Sequence, residues 1–79
     1  MPDPMWRVVQ TSFRCGRELQ ALLEHLKVHC TEQDYRHLSR GIAIAIDTLN
    51  TELTDRAIAM HPEYADRIES ELRAHGHIR

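Results

Sequence analysis

Residues 32–60 read EQDYRHLSRGIAIAIDTLNTELTDRAIAM, and the spacing of their apolar side chains decides the fold. At about 100° per residue, Tyr35, Leu38, Ile42, Ile46, Leu49, Leu53, Ala57 and Met60 fall within one sector roughly 100° wide. A strand would alternate with period two. Only Gly41-Ile42-Ala43-Ile44-Ala45-Ile46 does so, and its flanks follow the helical period. The stretch therefore predicts one long helix starting at about Glu32. Thr31 supplies an N-cap hydroxyl, and Asp34 three residues later approximates a capping box. Gly41 and Ala45, at the edge of the stripe, let another helix approach closely. Ile44 and Ile58 lie on the far side, nearly in line with each other.

Upstream, Pro2 and Pro4 keep the first residues extended, and a first helix is expected from about Met5 to His29. It carries two apolar faces. Val8, Cys15, Leu19, Leu22 and Leu26 form one stripe, while Trp6, Val9 and Phe13 point roughly the opposite way. A two-helix hairpin buries only one of these faces. Either the helix bends near Cys15-Gly16 and Trp6–Phe13 folds back over the chain's own core, or that segment packs against something else. Downstream, Pro62 suits the first turn of a third helix and Gly76 the residue past its end, which gives a helix over about 62–75 and a tail His77-Ile78-Arg79. In it Tyr64, Ala65, Ile68 and Leu72 face inward. The three helices span roughly 37, 43 and 21 Å, so the third is too short to cover the hairpin.

The expected fold is all-α, a single domain over 1–79. It is an antiparallel hairpin of two long helices plus a shorter C-terminal helix, dimerising into a helical bundle. A four-helix version breaks the second helix near Asn50-Thr51. A chain of 79 residues buries about 60% of its unfolded surface, so self-association is a natural supplement to its core. Cys15 and Cys30 on one helix would stand roughly 22 Å apart, which forbids a disulfide between them. Two unpaired thiols, no signal-peptide pattern and no apolar run of membrane-spanning length lead to the expectation of a cytoplasmic chain without membrane contact.

Little in the sequence points to catalysis, and the chain is expected to be no enzyme and to need no cofactor. Gly-rich phosphate loops and nucleophile elbows are absent. Glu24-His25-Leu26-Lys27-Val28-His29 has the wrong residue order for a zinc-protease helix, which needs its first histidine before the glutamate. His25 and His29, one turn apart beside Cys30, have a two-ligand spacing that Glu32 or His37 would have to complete. They are read as ordinary polar residues at a helix end, where imidazolium complements the dipole, and no metal is expected. Cys15, although flanked by Arg14 and Arg17, is read as a small core hydrophobe because it lies on the stripe of Leu19 and Leu22.

What remains is binding. The expected function is that of a small non-enzymatic regulator, inhibitor or adaptor working through helix-mediated protein–protein contacts. Trp6, Val9 and Phe13 are the expected anchors, because aromatic side chains carry much binding energy. Arg7, Arg14 and Arg17 would form a charged rim, with Ile44 and Ile58 as a second apolar patch. The partner is another protein, and a homodimer is expected. The alternative is a nucleic-acid-binding regulator. Residues 4–17 contain no acid, Arg7, Gln10, Arg14 and Arg17 share one side of the first helix, and Arg36 and Arg40 would extend the patch across the corner. A net charge of −2 weighs against it.

Overall fold

Asp3 starts the first helix. Its backbone is extended (φ −96°, ψ 104°), and Oδ1 accepts the N–H groups of Met5 and Trp6 at 3.1 and 3.2 Å. This satisfies two donors that no helical carbonyl reaches. In the computed structural model, which describes residues 3–78, α1 then runs without interruption over Pro4–His29. Pro4 at the first position costs the helix no hydrogen bond, because that N–H would be unpaired anyway. A two-residue joint, Cys30-Thr31, turns the chain, and α2 follows over Glu32–Leu49 with Thr31 Oγ1 accepting the Asp34 N–H at 3.2 Å. A π-helical segment, Asn50–Thr54, leads into α3, Asp55–Met60, so at the place where the four-helix version would break the rod it continues without leaving helical backbone. After a turn at His61–Glu63, α4 runs over Tyr64–His75 and ends at Gly76, whose φ of 73° is the left-handed conformation a C-terminal cap requires. No strand occurs among the described residues.

The π-segment corrects the expectation of one unbroken stripe. Asp55 N–H reaches back five residues to the Asn50 carbonyl, which adds a residue to one turn. Everything beyond it is rotated by about 100° relative to a regular helix. Thr54 and Ala57 therefore face the core, at 6% and 1% exposure, and Ile58 turns in far enough to pack against it. Met60, expected on the buried stripe, is 64% exposed.

On α1 the apolar face changes sides through sequence alone, from Leu19 and Leu22 to Trp6 and Val9. The π-segment makes the matching rotation on the rod packed against it. Covering the Trp6–Phe13 segment does not require a break at Cys15-Gly16, and α1 is continuous there.

The core consequently sits at one end. Trp6, Val9, Ala57, Tyr64 and Ile78 are buried together, with Phe13, Ile58 and Ile68 packed around them. This corrects the placement of Trp6, Val9 and Phe13 on an exposed face: α4 and the C-terminal tail cover them within the chain. Of the four residues expected to face inward on α4, Tyr64 and Ile68 do, while Ala65 and Leu72 are exposed.

Polar contacts tie the end together. The Tyr64 hydroxyl donates to Asp3 Oδ2 at 2.6 Å, Tyr64 meets Trp6 edge-on at 5.3 Å, and the Arg67 guanidinium lies 3.9 Å over the indole. Arg17 donates to the Ile78 carbonyl at 2.8 Å and holds the tail down.

Two predictions arise here. The Ser12 and Thr54 hydroxyls are buried with no protein hydrogen-bond partner. Burying such a group costs free energy that a methyl of the same shape does not. Thr54→Val should stabilise the fold by roughly 0.5–1 kcal/mol, a rise in Tm of about 2–8 °C by calorimetry. A lowered Tm would mean the hydroxyl is satisfied.

The second concerns pH. The hydrogen bond from Tyr64 holds the Asp3 carboxyl below its usual 3.8, helped by the Trp6 and Met5 N–H groups. Burial, and then the bond to Asp3, pushes the Tyr64 phenol up from 10.0 to about 12. A depressed acid stabilises the fold above its unfolded pKa, and that contribution fades as pH falls through the lowered value. A raised phenol stabilises it below pH 10, and that contribution fades as pH climbs from 10 toward about 12. Tyr64→Phe should therefore flatten the decline in Tm at both extremes. An unaltered profile would show that the Asp3–Tyr64 bond does not carry it.

Candidate binding groove

The upper part of the hairpin has almost no core. Of the large side chains facing inward there, Ile42 is buried, at 8% exposure, whereas Leu22 and Leu38 remain 44% and 45% exposed. Between α1 and α2 an open groove of about 680 Å³ runs down to the π-segment. Cys15, Leu19 and Leu22 line one wall; Ala45, Thr48, Leu49 and Leu53 line the other. This is the stripe the sequence assigns to the hairpin's interior. Two helices side by side cover each other along a single line, so the stripe's outer edge stays open once α4 has gone to the opposite side.

The groove carries little charge. Glu18 and Glu52 belong to its lining, and Glu52 pairs at 2.5 Å with Arg56 one turn on. Cys15 is a free, half-buried thiol among leucines, and Cys30 is free at the end of α1. Gly41, one turn from Ala45 toward the hairpin's tip, is exposed, and a β-carbon added there would meet nothing within 4 Å. The α2 side of the groove therefore presents a low ridge of Gly41, Ala45 and Thr48.

The remaining residues singled out in the sequence are scattered. Arg7 and Arg14 are exposed beside Gln10 and Thr11, whereas Arg17 is engaged with the tail. Arg36 and Arg40 do not extend this patch, because the antiparallel hairpin puts them near its tip and Arg7 near its base. Arg36 also pairs with Glu32 at 2.8 Å. Ile44 stands 58% exposed one turn from Thr48, beside the groove's outer edge, whereas the exposed Ala43 lies on the opposite face of α2, and Ile58 has joined the core periphery. The His25 and His29 rings lie 4.4 Å apart, and no cluster of three metal-ligating side chains occurs among the described residues. Among the same residues no helix is long and apolar enough to cross a membrane.

Sequence reasoning missed Ile78 and the groove's open side. A lone isoleucine after a helix-ending glycine has no periodicity to report it. The open side follows from where α4 docks, which no local pattern encodes. No protein-family model, curated protein or solved structure matches the chain.

Proposed function

We propose that the chain is a non-enzymatic protein-binding module whose contact surface is the α1–α2 groove, working as a regulator, inhibitor or adaptor by helix-face packing. The observation that carries this is the continuous leucine-lined opening from Leu22 to Leu53, left uncovered in a chain that buries Trp6 and Tyr64 elsewhere. Exposed apolar surface of this continuity marks interaction sites. The free thiols suit a reducing compartment such as the cytoplasm.

The arginine face supports a nucleic-acid reading less well. With Arg17 engaged, Arg7 and Arg14 are the groove-independent cations left at that end, and two phosphate contacts give a salt slope of only about −2.

The test is photo-cross-linking in the source cells, with p-benzoylphenylalanine replacing Leu22 or Leu53. Polypeptide adducts at both positions, absent when the probe replaces Ala43 on the opposite face of α2, are the expected result. Adducts to lipid or small molecules alone, or none, would reject a protein-binding groove.

A further inference from the structure

The chain is more open than its size explains. Its radius of gyration is 14.7 Å and its extents are 46 × 24 × 19 Å, against about 12 Å for a compact domain of 79 residues. Its accessible surface is 5996 Å². A folded monomer of 9.2 kDa ordinarily exposes about 4,900 Å². The surplus is on the order of 1,000 Å², and a standard dimer interface removes about 800 Å² from each partner. The surplus has a location as well. Five of the six buried apolar residues form the cluster at the Trp6 end, and Ile42 alone represents the rest of the hairpin. Two helices held at one end and packed on nothing above it are an incomplete bundle.

Resting on the protein-binding reading above, we infer that the occupant of the groove is a second copy of this chain, and that two hairpins close into a four-helix bundle. A copy of the same chain supplies an area of the required size, on a face that is self-complementary under a two-fold axis. The small residues Gly41 and Ala45 let the facing helix come close, and Leu22, Leu49 and Leu53 supply the apolar contact. Charge does not oppose the pairing. Glu52 is already neutralised by Arg56 of its own chain, which leaves Glu18 as the one uncompensated charge each copy brings to the groove lining. The Trp6 end stays clear of the contact, because α4 packs on the other side of α1.

The decisive experiment uses the purified full chain alone. Light scattering on size-exclusion eluate should give twice 9.2 kDa for the wild type. Ala45→Arg should weaken association at least about 100-fold, because its side chain enters the bundle centre, whereas Ala43→Arg, an exposed position on the opposite face of α2, should leave the dimer intact. Arginine has nearly alanine's helix propensity, so Ala45→Arg does not disturb α2 itself. If this variant nevertheless unfolds, p-benzoylphenylalanine at position 22 of the purified chain decides. A photo-adduct of twice the chain mass, absent with the probe at position 43, supports the inference.

A wild-type mass that stays at 9.2 kDa up to about 1 mM overturns it, as does a dimer lost in Ala43→Arg but kept in Ala45→Arg. A monomer in the tube combined with heavier adducts in cells would refute the second copy and leave the protein-binding reading standing. Absence of adducts in both settings would remove both.

Discussion

Replacing Trp6 with alanine is expected to remove most of the fold's stability. The indole is 4% exposed, sits edge-on to Tyr64 and carries the Arg67 guanidinium on its face. Truncating a buried aromatic to alanine costs about 3–5 kcal/mol. A domain of this length has roughly 4–12 kcal/mol in total. The variant should unfold at a far lower urea concentration, or lose its cooperative transition, when followed by far-UV circular dichroism. The effect exceeds that of a lone buried side chain because Trp6 joins α1 to α4, and α4 has no other large aromatic contact with α1. A variant with an unchanged midpoint that had lost only its associations would return Trp6 to the surface and put the interface back where the sequence pattern first suggests it.

The second large effect is expected from a residue one position from the end of the chain. Ile78 is 1% exposed and belongs to the core cluster, delivered there by the left-handed turn at Gly76 and held by the Arg17 hydrogen bond to its carbonyl. Ile78→Ala should cost about 2–4 kcal/mol, which in a domain this small lowers Tm by at least about 10 °C. Arg17→Gln should cost less, on the order of 1 kcal/mol, since it removes a hydrogen bond and leaves the isoleucine in place. If the two variants melted alike, the tail would be held by its carbonyl and not by its side chain. If neither differed from wild type, the tail would contribute nothing.

Much of the helical layout is legible in the residues. Thr31 before Glu32 marks the start of α2, and Gly76 the end of α4, because a hydroxyl acceptor and a left-handed turn are local requirements that few residue types meet. The period of Leu38, Ile42, Ile46 and Leu49 marks α2 as a helix packed along one side. The two opposed apolar faces of α1 are equally plain, and so is the fact that one hairpin cannot bury both.

Which of those faces the chain covers for itself is not a local property. It depends on α4 and Ile78 coming back across α1 and choosing the Trp6–Val9 side. The π-segment is hidden for the same reason. Nothing in Asn50–Thr54 demands an extra residue in the turn; its effect, bringing Thr54 and Ile58 toward the core beside Ala57, exists only where α1 offers its Trp6–Val9 face. The consequence is an exchange of roles. The aromatic face that looks like an interface is the core, and the leucine stripe that looks like the core is the open groove. Periodicity records that a side chain prefers to leave water, but it carries no record of which neighbour removes it.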